Sequence, residues 1–252
     1  MLTILSPAKT LNLEKQELVS EYTIPAFIND SEQLALELKK YSAKKLGELM
    51  KINSKLAQLN FERYQEWSSH LNPENAKQSI LSFKGDVYTG LGAETFGQDD
   101  FDFAKDNLAI LSGLYGVLKP LDLMMPYRLE MGTPLKTRKW KNLYDFWGNK
   151  ITEVINKLVK DDVLINLASQ EYFKAINQNS LNVRIITPVF KENKNGTYKF
   201  VHVFGKKARG LMTRFIIQNK ITNPDQIKLF NLEGYYYNDR LSTKLDWVFT
   251  RG

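Results

Sequence analysis

The sequence predicts an α+β fold of irregular order, with a central mixed sheet and helices around it. Three observations lead there. Short apolar runs at 2–5, 80–83 and 163–167 end in polar or turn residues and read as buried strands. Longer segments, such as 31–41 and 206–220, carry apolar residues at helical spacing. The two kinds interleave without a regular βαβ rhythm, which leaves a doubly wound sheet as the alternative. The chain has 252 residues, 43% of them hydrophobic and 12% aromatic, enough for a sizeable core. No Pro/Gly/Ser linker, low-complexity tract or internal repeat divides it. One domain over 1–252 is expected, and two tightly joined lobes are allowed.

In chain order, 2–5 is an opening strand halted by Ser6-Pro7. A helix follows over 31–41, with Asp30 or Ser31 as its cap and Leu34, Leu38 and Tyr41 on one face. Ser42 caps a second helix through Leu46, Leu49 and Met50, and a third runs from Asn53 through Leu56, Leu59, Tyr64 and Trp67. Asn72-Pro73-Glu74 is expected to start a fourth helix. Residues 100–111 and 144–159 read as helices. Residues 184–190 and 198–204 read as strands around an Asn195-Gly196 turn, a strong hairpin signal. Residues 206–220 are helical, and 235–237 and 247–250 are strands.

Composition removes several chemistries. There is no cysteine, so disulfides, thiolate zinc sites and cysteine nucleophiles are excluded. Only His70 and His202 are available for imidazole ligation or a Ser-His-Asp relay. No metal site and no cofactor is expected. No signal peptide and no apolar run of membrane-spanning length appears, so a cytoplasmic protein with no membrane partner is expected.

The net charge of +7 favours phosphate-rich or acidic partners. The positive residues are segregated. One stretch holds Lys39, Lys40, Lys44, Lys45, Lys51 and Lys55, a second Lys136, Arg138, Lys139 and Lys141, and a third Lys206, Lys207, Arg209 and Arg214. They are read either as ordinary solubilising lysines or as a face that binds DNA phosphates. Residues 42–67 also fit a helix–hairpin–helix element. Leu46 and Leu49 form the apolar pair, Ile52 the plug and Ala57 the small contact, while Lys51 and Asn53 replace the two usual glycines. A plain scaffold hairpin fits the same residues.

Polar residues also gather after the expected strands. Lys9, Lys84, Asp86, Tyr115, Arg128, Glu130, Ser169, Tyr172 and Lys206 are candidates to line one basic cleft, with Lys84, Asp86, Tyr115 and Glu130 as candidate catalytic groups. Arg128 and Glu130 are equally readable as a structural bridge. No nucleophile–base relay and no Walker loop is present.

Several motifs carry a resemblance: Ser6-Pro-Ala-Lys9-Thr10, residues 83–91 (FKGDVYTGL), 111–118 (LSGLYGVL), 126–131 (PYRLEM), 146–148 (FWG), 166–169 (NLAS) and 206–212 (KKARGLM). Together they resemble the YaaA family of bacterial peroxide-stress proteins, in order, from Met1 through at least Tyr237. The resemblance implies a role in hydrogen peroxide defence that limits free iron and so protects DNA. It also implies DNA binding through a helix–hairpin–helix element at Leu46 to Leu59 and a positive cleft drawing on Lys9, Lys84, Arg128, Lys206, Lys207 and Arg209. The rival expectation is an enzyme acting on a phosphorylated or nucleotide-like small molecule in the same cleft. Direct iron sequestration is a third reading.

Overall fold

The computed structural model of the chain describes residues 1–252. Strand β1 (Leu2–Leu5) is buried at every residue, Thr3 included, which is why its other three positions are apolar. Strand β2 (Thr10–Leu11) follows. Helix α1 (Ile28–Lys39) starts earlier than the sequence implied. Ser31 is therefore no cap. It is buried in the first turn, and its hydroxyl donates to the Phe27 carbonyl. Helix α2 (Ala43–Met50) is capped by Ser42, and α3 (Ser54–Glu66) by Asn53, whose side chain accepts from the Leu56 N–H at 2.9 Å. Leu56 and Leu59 do not face the core; Ala57, Asn60 and Tyr64 do. The cause is close helix contact, since a Cβ on Gly47 would lie 3.2 Å from the Ala57 Cβ.

No helix starts at Asn72-Pro73. The Asn72 side chain accepts from the N–H groups of Glu74 and Asn75 and closes a turn that leads into β3 (Lys77–Gln78). The run at 80–83 is not one strand but a single helical turn, α4 (Ser79–Ser82), followed by β4 (Phe83–Lys84). So short an apolar run has no decisive period. Helix α5 (Asp86–Leu91) comes next, then α6 (Gln98–Asn107). The helix expected to reach residue 111 ends at Asn107, and β5 (Leu108–Ser112) takes the remainder, fully buried.

Strands β6 (Gly116–Leu118) and β7 (Leu123–Met124) follow. The long helix expected over 144–159 is two, α7 (Leu143–Trp147) and α8 (Lys150–Leu158), broken at Gly148 with φ 48° and ψ −123°. Then come β8 (Val163–Asn166) and α9 (Gln170–Phe173). Strands β9 (Arg184–Lys194) and β10 (Thr197–Lys199) turn at Asn195-Gly196, both with positive φ as a tight hairpin needs. The strand expected to continue to residue 204 stops, and α10 (His202–Gln218) begins with His202 as its first residue. Strands β11 (Tyr236–Tyr237) and β12 (Asp246–Arg251) complete the chain.

The main sheet runs β11-β12-β9-β8-β1-β5-β6, with β10 paired to β9. Neighbours from β12 to β5 are parallel, and both ends of the path are antiparallel. The sheet is thus mixed, as expected, around a parallel centre. One cluster of 60 buried apolar residues packs against it. No helix is long and apolar enough to cross a membrane.

A basic cleft at the strand ends

Two adjacent parallel strands, β1 and β8, end beside each other and deliver Ser6 and Ser169 to one place. The Ser6 hydroxyl oxygen accepts from the Ser169 N–H at 2.8 Å, and the two hydroxyls are 3.3 Å apart. Tyr88 on α5 donates to the Ser6 carbonyl at 3.0 Å. Crevices at the carboxyl ends of parallel strands are where sites form in such sheets. Here the crevice is a cleft of about 460 Å³.

Three glycines fix its walls. A Cβ on Gly90 would fall 2.2 Å from the Lys207 carbonyl oxygen, and one on Gly210 would fall 1.8 Å from the Val87 carbonyl oxygen. Helices α5 and α10 therefore cross in backbone contact, a spacing that only glycine permits. The crossing brings Lys84 and Asp86 into the same cleft as Lys206 and Arg209. Gly113, just past β5, allows the same closeness to Leu129, whose carbonyl oxygen would be 2.2 Å from a Cβ. That contact seats Arg128 and Glu130 on the third wall.

The cleft lining carries five basic residues, Lys9, Lys84, Arg128, Lys206 and Arg209, against Asp86, Glu130 and Glu171. The Glu130 carboxylate serves two of them, Lys9 at 2.6 Å and Arg128 at 3.2 Å. Arg128 is 14% exposed, its Nε is buried with no partner, and its carbonyl accepts from the Tyr64 hydroxyl at 2.8 Å. Glu171 is also occupied, accepting from the Gly132 N–H at 2.8 Å. Lys84, Lys206 and Arg209 have no carboxylate within ion-pair distance, whereas Lys207 next along α10 does. Burial lowers the Arg209 pKa with no carboxylate to oppose it. Guanidinium nonetheless stays charged, so the cleft keeps an uncompensated cation inside it. Burial also holds Tyr172 well above the ordinary tyrosine range, aided by Tyr127, Glu171 and Glu130, so its hydroxyl is a neutral donor.

The other basic stretches lie elsewhere. Lys44, Lys45, Lys51 and Lys55 are exposed on the α2–α3 hairpin. Lys51 has φ 53° and ψ 51°, the left-handed backbone that a glycine would adopt freely, at a cost of about 1–2 kcal/mol for a residue with a Cβ. The hollow at this turn is lined by Lys44, Gly47, Ile52, Ser54 and Ala57, none of them shared with the cleft. From Ser54 to Tyr64 the helix rises ~15 Å, so the hairpin turn stands about that far along α3 from the Arg128 contact. Lys136, Arg138, Lys139 and Lys141 face Lys40 and Glu37 of α1 across an open groove of about 1350 Å³. The basic stretches thus lie in three places that share no lining residue: the hairpin, the α1–loop groove and the cleft.

A family model described as peroxide stress protein YaaA matches residues 1–241. The chain belongs to the YaaA family. A UPF0246 protein of Colwellia psychrerythraea is 53% identical over 254 residues, covering 100% of this chain and 99% of that relative. Five of the seven motifs singled out in the sequence converge on the cleft: 6–10, 83–91, 126–131, 166–169 and 206–212 contribute lining residues, and 111–118 and 146–148 do not.

Three candidate residues belong elsewhere in the fold. Tyr115 is not in the cleft. It is buried in the core, where its oxygen accepts from the Trp67 indole and the Met125 N–H, each at 3.0 Å, and burial raises its pKa out of any catalytic range. Lys207 pairs with Glu233 rather than facing the cleft. Arg214 donates to the Leu91 and Gly92 carbonyls and the Thr95 hydroxyl, closing the C-terminal end of α5, so its guanidinium is committed within the fold. Asn53 also spends its side chain locally, as the cap of α3. Sequence reasoning passed over Ser6 and Glu171. The signal for Ser6 was present, because it is the first polar residue after a buried strand. No group of three His, Asp or Glu side chains is placed to hold a metal ion.

Proposed function

We propose that this YaaA-family protein is a cytoplasmic DNA-binding protein of the peroxide stress response that limits iron-driven DNA damage. It holds DNA by its phosphates, without strong sequence preference, using the cleft and the exposed lysines of the hairpin. The observation that carries this is the set of unpaired cations, Lys84, Lys206 and Arg209, from two separate segments in one cleft. Taking charges out of water is costly unless something pairs with them, so a half-enclosed unpaired guanidinium marks the place of an absent anion. The hairpin adds a second contact. Its turn lies ~15 Å along α3 from the cleft wall, about four base-pair steps of duplex at 3.4 Å each. Lys51 and Lys55 flank it and Lys44 and Lys45 lie farther along α2, all exposed and free to follow a backbone.

Duplex DNA binding measured for Lys206→Glu/Arg209→Glu against wild type tests this. Binding is expected to weaken about a hundredfold, since reversing two charges converts attraction into repulsion. Unchanged affinity contradicts the reading. A second reading, an enzyme for a phosphorylated or nucleotide-like small molecule, is favoured by the size of the cleft, about 460 Å³. That falls within the range of small-molecule pockets. Asp86 and Glu130 are the ionisable groups left to it, since Tyr115 is in the core. Thermal stabilisation across a metabolite panel and a set of DNA structures separates the two readings.

A further inference from the structure

The face of α10 that lines the cleft continues past it. His202, Lys206 and Arg209 stand at i, i+4 and i+7, so they share one stripe of the helix. Lys206 and Arg209 line the cleft, and His202 lies one turn nearer the N-terminus, exposed. Its ring meets that of Phe200 edge to face, with centroids 5.0 Å apart and planes at 82°. Phe200 is 43% exposed rather than packed into the core. One side of it nevertheless rests on α10. Its ring lies against the backbone of Gly205, where a Cβ would come 2.6 Å from the ring. Gly205 has no left-handed backbone to explain it, so the glycine serves space: any side chain would push the ring off the helix. Nearby Phe204 is equally exposed, but one face of its ring is taken by the Arg251 guanidinium at 4.8 Å. Nothing of that kind covers Phe200.

An exposed aromatic ring, resting on the helix one turn from unpaired cations, is the arrangement that stacks a base while cations hold its phosphate. Along the helix axis His202 stands ~6 Å from Lys206 and ~10 Å from Arg209, room for a sugar between base and phosphate. We propose that Phe200 and His202 form a stacking platform for a nucleobase whose 5′-phosphate is held by Lys206, Arg209 and Lys84. The ligand class is a 5′-phosphorylated nucleoside unit, either free or at an unpaired position of a strand. This rests on the reading of the cleft as a phosphate seat.

Titration calorimetry on the full-length protein tests it with matched pairs: adenosine 5′-monophosphate against ribose 5-phosphate, and a short 5′-phosphorylated single strand against the same strand without its terminal base. The member carrying the base is expected to bind about tenfold more tightly in at least one pair. Phe200→Ala brings that ratio close to one, and Phe200→Trp preserves or raises it. A preference confined to the strand pair assigns the platform to nucleic acid, and one present for the monophosphate assigns it to a free nucleotide. Equal affinities within both pairs in the wild type, or a ratio that Phe200→Ala leaves in place, overturn the platform while phosphate binding stands. If no phosphate compound binds, the cleft reading falls and the platform with it.

Discussion

The cleft and the α2–α3 hairpin are both rich in basic residues, but the fold holds the two sets differently. In the cleft, backbone contacts at Gly90, Gly113 and Gly210 fix the walls, one carboxylate ties Lys9 to Arg128, and Arg209 is half-enclosed without a partner. On the hairpin face, Lys44, Lys45, Lys51 and Lys55 stand in solvent on flexible stems. A count of charges ranks the hairpin face with the cleft. Physical chemistry does not, because exposed charges are screened by salt and lose side-chain entropy when ordered, whereas preorganised and partly desolvated ones lose less. On the proposed reading the half-enclosed Arg209 makes the cleft the seat of specific anion recognition, and the hairpin lysines supply general attraction to a polyanion.

Changes at each place break or sharpen that contrast. The largest effect is expected from Gly210→Val, which puts side-chain atoms where the Val87 carbonyl stands. Thermal denaturation should show a loss of about 3 kcal/mol or more, with phosphate binding lost alongside, because the crossing of α5 and α10 sets the cleft. Tyr115→Phe removes an acceptor for two buried donors and should cost about 2 kcal/mol of stability. Phosphate affinity should stay as it was, which separates core from cleft. Arg209→Ala should weaken phosphate binding about tenfold with little change in melting temperature.

Glu130→Gln should act in both directions. It removes a negative charge from the cleft, so phosphate affinity should rise about threefold, while Arg128 loses its charged partner and stability falls by ~1 kcal/mol. If affinity falls as well, the carboxylate aligns Lys9 and Arg128 for the ligand. The smallest effect is expected from Lys45→Ala, less than about twofold in affinity at physiological salt, read from a DNA titration.

The division between what sequence reveals and what it conceals follows from these forces. Strands β1 and β8 were legible because burial on both faces makes a nearly continuous apolar run, interrupted in β1 by Thr3, and Asn195-Gly196 because a tight hairpin demands positive φ. The end of α6 was not, since Leu108 to Leu111 suits a buried helix and a buried strand equally, and only pairing with β1 decides. Most of the cleft was legible because polar groups after buried strands gather at one sheet edge. Tyr115 misled because glycines on either side imply an exposed turn, whereas Gly113 is there for contact with Leu129. Lys207 and Arg214 misled for another reason. Their partners, Glu233 and the Leu91–Thr95 turn, are distant in the chain, and sequence shows charge without showing its partner.

The salt dependence of DNA affinity tests the central contrast most directly, measured for wild type, Lys206→Ala/Arg209→Ala and Lys44→Ala/Lys45→Ala. The slope of log affinity against log salt should become shallower by about 1.8 units for the cleft variant, as two lost phosphate contacts require, and by less than about one unit for the hairpin variant. The reverse order, or a cleft variant with the wild-type slope, contradicts the assignment of the cleft as the phosphate seat.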